Sequence, residues 1–285
     1  MQNMSYLCTF NSVMRVKNIV FVFLCAFLLM SCSEYAKMLK SNDMEARYNY
    51  AKQLYEKKKY SKALPFFESA VQMYKGSSRA EEVLYLLAQC NYETKDYYSA
   101  SQYFLTYCNT FPKGEYAELS RYYAAYSLYL SSPDARLDQS DTRKAVLELN
   151  NFMEYYPQSE KKDEALKYLY ELQEKLSYKE LLAVKLYYNL GNYLGNNFLS
   201  CIITAQNALR DYPYAEKREE FMYYIAASRY EMALISVPDK LQLRYREIVD
   251  EYFNYINEYP EGKYVKQVNR YYNYAKSQIK ETPFE

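Results

Sequence analysis

An all-α fold, an α-α superhelix of about five stacked helix pairs, is predicted by three observations. Two stretches superimpose at a shift of 37 residues: Ala51, Tyr60, Ala63 and Phe67 recur as Ala88, Tyr97, Ala100 and Phe104. An aromatic residue followed by proline recurs at Phe111-Pro112, Tyr156-Pro157, Tyr212-Pro213 and Tyr259-Pro260. Five Gly and eight Pro in 285 residues leave little material for the tight turns of an all-β chain. An alanine, an aromatic nine positions on and a second alanine twelve positions on let two antiparallel helices approach closely, as in the 34-residue tetratricopeptide repeat (TPR).

The first two repeats carry this frame most clearly, each closing on an aromatic, at Tyr74-Lys75 and at Phe111-Pro112. Proline has no N–H, clashes with the preceding turn and disfavours helical geometry in the residue before it, so each aromatic-Pro pair is expected to end a helix. The later intervals, 45, 56 and 47 residues, are longer than a bare helix pair. Apolar residues nevertheless return at helical spacing before each stop, as Val146, Leu149, Phe152 and Met153, and again as Ile202, Ala205, Ala208 and Leu209. Counting back from Pro213 places Phe198, Cys201, Ala205 and Ala208 where the first repeat has Tyr60, Ala63, Phe67 and Ala70, so the fourth repeat is degenerate. The segment from Ser131 to Thr142 lengthens the third repeat, either as a surface loop or as an added contact for a partner. A repeat of this type cannot bury its apolar face alone; it stacks on its neighbours and builds an extended binding surface.

The amino terminus carries a separate signal. Arg15 and Lys17 precede an apolar run from Ile19 to Met30, which ends at Leu29-Met30-Ser31-Cys32. Twelve residues are too few to cross a hydrocarbon core that needs about 20 in a helix. A basic start, a short apolar run and a small residue at the end describe a secretory signal peptide. Cys32 after Leu-x-Ser resembles a bacterial lipoprotein signal, which implies a lipidated cysteine as the first mature residue; the alternative is a buried cysteine at the end of an anchor helix. One acyl chain holds a protein to a bilayer marginally and two or three hold it stably. Ser33, where an Asp would favour inner-membrane retention, points to the outer membrane, facing the periplasm. Along the chain, residues 1–31 read as signal peptide (with Met14 as an alternative start), 32–42 as a lipidated tether, 43–157 as repeats 1–3, and 158–285 as repeats 4–5 with a capping helix.

Chemistry is easier to exclude than to assign. The chain has no His, which removes the commonest general base and metal ligand. No Gly-rich phosphate loop is present, and Gly191 and Gly195 read as a helix-to-helix connection. The carboxylate pairs Glu81-Glu82 and Glu219-Glu220 fall in first helical turns, where acids favour the helix dipole. Neither a cofactor nor a metal is expected, and the protein reads as a non-enzyme. The 36 basic and 35 acidic side chains leave a net charge of +1, which gives no reason to expect nucleic acid as a partner. Cys90 and Cys201 occupy packed positions and read as core thiols; a Cys90–Cys108 disulfide stays open.

Thirty-nine tyrosines require an explanation. Tyr60, Tyr97 and Tyr245 fill the helix-packing position, and others cluster as Tyr122-Tyr123-Tyr126-Tyr129 and Tyr187-Tyr188. Tyrosine offers a large apolar face with a polar tip, which suits both packing and recognition. Those not used in packing are expected to line a peptide groove formed by the first helix of each repeat, with Tyr85, Tyr92, Tyr122 and Tyr126 as candidates.

The combination of lipoprotein signal, repeat number and spacing resembles the BamD family of the outer-membrane β-barrel assembly (BAM) machinery. The residues that carry it are Tyr50-Ala51-Lys52-Gln53-Leu54 leading through Tyr60 to Lys62-Ala63, the stretch from Tyr187-Tyr188 to Gly195, and Leu209-Arg210-Asp211-Tyr212-Pro213. The resemblance implies a non-catalytic scaffold that binds the periplasmic domains of a barrel insertase and other assembly lipoproteins through its C-terminal repeats. It also implies that the N-terminal repeats receive the C-terminal segments of unfolded outer-membrane proteins. Relatives use a basic residue on the second helix of the fourth repeat; Cys201 to Ala208 contains none, Arg210 being only a neighbour of that stretch, and the resemblance implies a candidate insertase interface at Arg210, Asp211 and Tyr212. Two other readings stay open: a different TPR lipoprotein serving secretion, gliding or cell-wall machinery, and a carbohydrate-capturing repeat lipoprotein, which the absence of Trp disfavours.

Overall fold

The protein is described by a computed structural model covering residues 34–280. The signal segment, the Met14 start and the Cys32 lipidation position lie outside the described residues. Among the described residues the regular structure is entirely α-helical, and no helix is long and apolar enough to cross a membrane. They form two compact units, the first running to Ser120 and the second starting at Arg121. The division falls within a helix, whereas the sequence division ran at residue 157.

The first unit contains α1 (34–39), α2 (Met44–Glu56), α3 (Tyr60–Met73), α4 (Ala80–Glu93) and α5 (Tyr97–Thr110), and it ends in the first turn of α6 (Ala117–Ser131). Consecutive helices from α2 to α5 pack on one another, as the repeat frame requires. Ala51, Ala63, Phe67, Ala88, Ala100 and Phe104 are all fully buried, so the 37-residue shift marks the positions where two helices touch. Asp43 caps α2 by accepting from the Ala46 N–H at 2.9 Å, and Asp96 caps α5 by accepting from the Ser99 N–H at 3.1 Å.

The turns inside the first two repeats also repeat at 37 residues. Lys58 N–H donates to the Tyr55 carbonyl and Lys59 N–H to that of Leu54; Lys95 and Asp96 do the same to Tyr92 and Asn91. Lys58 has φ +54° and Lys95 φ +66°, where a β-carbon crowds the following carbonyl. Lys58→Gly and Lys95→Gly should therefore each raise stability by roughly 0.5–1 kcal/mol in urea unfolding, the relief of strain exceeding the added chain entropy. An unchanged or lowered midpoint in both would show that these turns hold no strain.

The second unit contains the rest of α6, then α7 (Ser140–Tyr155), α8 (Lys162–Leu190), α9 (Asn197–Asp211), α10 (Arg218–Leu234), α11 (Pro238–Glu258) and α12 (Val265–Gln278). Its helices pair as α8 with α9 and α10 with α11, and α12 covers α11. Cys201, Ala205 and Ala208 are buried among Leu181, Val184, Phe221 and Ile225, so the degenerate fourth repeat keeps its small-residue contact. Residues 132–139 are a hydrogen-bonded connector: Lys175 donates to Ser132 Oγ at 2.8 Å, and Lys179 donates to the carbonyls of Arg136 and Leu137.

All four aromatic-Pro stops have nearly one backbone geometry. Phe111, Tyr156, Tyr212 and Tyr259 lie at φ −127° to −131° and ψ 63° to 68°, and each N–H donates to the carbonyl four residues back. The first stop differs. Tyr74, followed by Lys75, stays at φ −87° and ψ 8°, and Gly76 at φ +79° supplies the change of direction. Without proline next in the chain, nothing drives Tyr74 out of the helical region.

Cys90, Cys108 and Cys201 are buried and not joined in disulfides, so the Cys90–Cys108 pairing is not made. Burial pushes the Cys90 thiol up to about 12 and the Cys201 thiol up to about 11, so both stay protonated at neutral pH.

Candidate functional site

The tyrosines reveal a pairing that spacing alone did not. In the first unit the buried Tyr107 hydroxyl donates to the Glu81 carboxylate in the first turn of α4, and the Tyr116 N–H donates to the same hydroxyl at 3.0 Å. Tyr85 stacks on Tyr116 at 4.2 Å. The second unit repeats the arrangement: Tyr255 Oη donates to Glu219 Oε1 at 2.6 Å, Tyr264 N–H donates to Tyr255 Oη at 3.1 Å, and Tyr223 stacks on Tyr264 at 4.1 Å. A glycine stands seven residues after the tyrosine in both cases. A β-carbon on Gly114 would strike Glu81 and Tyr107, and one on Gly262 would strike Glu219 and Tyr255. At the third and fourth stops the tyrosine position holds Phe152 and Ala208, neither with a hydroxyl, and Ser159 and Ala215 take the place of the glycine. The first-turn acids thus do more than complement a helix dipole: they anchor phenols from the adjacent helix.

Other tyrosine–carboxylate bonds join first helices of successive repeats. Tyr48 Oη donates to Glu82 Oε2 at 2.6 Å, and Lys52 Nζ reaches Oε1 of the same carboxylate at 2.6 Å. Burial opposes ionisation of Glu82, but the Lys52 and Tyr48 hydrogen bonds outweigh it and hold the carboxyl below its usual range. In the second unit Tyr122 donates to Glu164 at 2.6 Å and Tyr129 donates to Glu171. Burial, then the Glu171 hydrogen bond, pushes Tyr129 up to about 12.

These contacts define where the four groove candidates lie. Tyr85 and Tyr92 are both half-buried on α4, two turns apart and so on one face. Tyr85 accepts a hydrogen bond from Gln89 Nε2 at 3.0 Å, and Tyr92 packs against Tyr97 at 5.9 Å. Tyr122 is only 3% exposed and its hydroxyl is committed to Glu164, so its ring belongs to the packed interior of the second unit. Tyr126 is half-buried and stacks on Tyr122 at 5.8 Å and on Tyr168 at 4.8 Å. Tyr168 completes this aromatic row; it lies on the next first helix, a proximity that the repeat spacing does not specify.

Arg210, Asp211 and Tyr212 form the end of α9 and its cap. Arg210 is largely exposed and its Nε lies 3.1 Å from Asp211 Oδ1, while Tyr212 packs its ring into the fourth-repeat core. Arg218 pairs with Glu258 and donates to the Leu209 carbonyl at 3.3 Å. A cavity of about 550 Å³ opens here between α9, α10 and α11, lined by Gln206, Arg218, Glu251, Asn254 and Glu258. Burial pushes the Glu251 carboxyl above the usual range, against the opposing pull of Asn254 and Arg229.

A group of exposed apolar residues flanks the α8–α9 connection, which the sequence marked only as a turn. Leu194 is 91% exposed at φ +56°, and Tyr193 is 69% exposed beside it. Leu186 and Leu190 at the end of α8, and Leu199 and Ile203 at the start of α9, are exposed as well. Asn196 fixes the turn by capping α9 at the Leu199 N–H. An apolar side chain held in strained backbone and turned to solvent is the feature of this unit that folding alone does not explain.

Comparison with known proteins places the chain. No curated protein matches it. Among solved structures, a thermophilic TPR protein from Thermus thermophilus is similar at 16% identity over 82% of this chain and 99% of that one, with a TM-score of 0.32. A human IFIT1 dimer is similar at 15% identity over 80% of this chain and 55% of that one, with a TM-score of 0.29. Both scores are low, and the repeat assignment rests on the helix pairing described above. The model of the YfiO family, described as an outer membrane lipoprotein, matches residues 40–240. That match covers well over half of the sequence, and the chain belongs to the YfiO family of outer membrane lipoproteins.

Proposed function

We propose that this protein is a non-catalytic scaffold of the outer-membrane β-barrel assembly (BAM) complex, anchored through lipid on Cys32 at the periplasmic face of the outer membrane. In this reading the fourth and fifth repeats bind the periplasmic domains of the barrel insertase and other assembly lipoproteins. The N-terminal repeats receive aromatic-ended C-terminal segments of unfolded outer-membrane proteins, with Tyr85 and Tyr92 of α4 offering half-buried rings. Family membership supports the membrane address. The observation that carries the partner-binding role is the exposed, strained Leu194 with Tyr193 on the α8–α9 connection. A solvent-facing leucine gains nothing in the isolated chain, whereas burial of such a side chain against a partner contributes about 1.5–3 kcal/mol.

The direct test is purification of the membrane complex through a tag on this chain. A barrel insertase should copurify, and Leu194→Asp should lower its recovery at least tenfold while leaving the melting temperature unchanged. Repeated recovery of secretion, gliding or cell-wall components instead would assign the scaffold to that machinery. Cys32→Ala should move the protein from the membrane to the soluble fraction; unchanged fractionation would refute lipidation at that residue.

A further inference from the structure

A basic surface stands at the amino-terminal end of the first unit. Between residues 34 and 62 there are eight basic and four acidic side chains, in a chain whose net charge is only +1. Lys52 and Arg79 are used internally, against Glu82 and Glu45. Lys57, Lys58, Lys59 and Lys62 are exposed, and among the described residues no carboxylate lies within ion-pair distance of any of them. They are held in place. The Lys57–Lys59 turn is fixed by the Lys58 and Lys59 hydrogen bonds to Tyr55 and Leu54, both 2.8 Å.

Helix α1 is pinned beside this turn. Tyr35 packs edge-on to Phe66 at 5.5 Å, Tyr50 meets the same ring at 5.5 Å, and Lys62 Nζ lies 5.7 Å from the Tyr35 ring centre. A small cavity of about 80 Å³ between α1 and the turn is lined by Tyr35, Tyr50, Lys57, Lys59 and Lys62, with Glu34 as its one carboxylate. Tyrosine rings beside lysines are the side chains that favour the boundary between headgroups and hydrocarbon. Cys32 precedes Glu34 by two residues, a reach of at most about 7 Å. A lipid on Cys32 therefore holds Glu34, and the lysine turn that shares a cavity with it, on the headgroup side, where charge is felt over roughly 8–10 Å.

We infer that Lys57, Lys59 and Lys62, with Lys58, form a docking surface for anionic phospholipid headgroups, which orients the first repeat on the leaflet that carries the anchor. The inference rests on the Cys32 anchor for its geometry, and its test does not. The processed chain, residues 32–285 with Cys32→Ser and no lipid, is sedimented with vesicles of phosphatidylglycerol and phosphatidylcholine in equal parts, or of phosphatidylcholine alone. Binding should occur to the anionic vesicles only and should weaken with added salt. At the strength usual for a lysine near an anionic surface, K57Q/K59Q/K62Q should reduce partitioning about a hundredfold. The control K266Q/R270Q, on α12, should leave it within about twofold, and both variants should keep the wild-type helical signal and melting temperature. Equal binding to both vesicles, no binding to either, or equal losses in both variants would overturn the inference. So would binding of soluble polyglutamate without binding of anionic vesicles, which would assign the lysines to an acidic polypeptide. Failure here together with release of Cys32→Ala from membranes would leave the anchor standing and remove only the docking surface.

Discussion

Alkaline titration will unfold this protein cooperatively once the pH passes about 10, the ordinary phenol value. Burial, then the Glu81, Glu164 and Glu219 carboxylates, raises Tyr107, Tyr122 and Tyr255 well above that value. Tyr188, Tyr224 and Tyr259 are pushed up to about 12, with burial again the leading cause. A phenol whose folded value is raised contributes stability that is fully present below the unfolded value. That stability is lost as pH rises from about 10 toward the folded value, because the unfolded chain releases protons that the folded one retains. Each such group costs about 1.4 kcal/mol per pH unit in that window, so Tyr107, Tyr122 and Tyr255 alone remove roughly 4 kcal/mol per unit. Typical domains are stable by only about 5–15 kcal/mol, so this suffices to unfold the chain. Helical circular dichroism should be lost in one narrow step, accompanied by a jump in tyrosinate absorbance as the buried phenols ionise together. A gradual rise in absorbance with helicity intact beyond pH 12 would refute the argument.

Ala63→Leu and Ala100→Leu should each destabilise the first unit by about 1–3 kcal/mol. Both alanines are fully buried where the second helix of a repeat meets the first, and Ala63 shares its cluster with Ala51 and Phe67. Three added heavy atoms have no space there without separating the helices. Both variants should lower the urea midpoint, while Ala36→Leu on exposed α1 should leave stability within about 0.5 kcal/mol of wild type. Wild-type midpoints in both core variants would mean that the repeat frame is out of register.

The helix pairs were legible because their cause is local. Proline dictates the geometry of the residue before it, so Phe111, Tyr156, Tyr212 and Tyr259 announce helix ends before any tertiary contact is known. Small residues at fixed spacing likewise announce a close helix crossing, since only their size permits it. The groove candidates were less legible. Tyr85 and Tyr122 both sit on first helices, but Tyr122 meets the Glu164 carboxylate of the next repeat and is buried, whereas Tyr85 stays half-buried. Leu194 was missed because a leucine between two glycines carries no signal of its own; its exposure follows from the path of the α8–α9 turn.

Sequence by itself determined the all-α repeat and its helix ends, because steric limits on proline, alanine and glycine act within a few residues. Only the tertiary structure decided which tyrosines pack and which face solvent, because Tyr107–Glu81 and Tyr255–Glu219 join residues 26 and 36 positions apart. The glycines at 114 and 262 belong to that second class. Each is small because a phenol and a carboxylate from two other helices converge on the space its side chain would occupy.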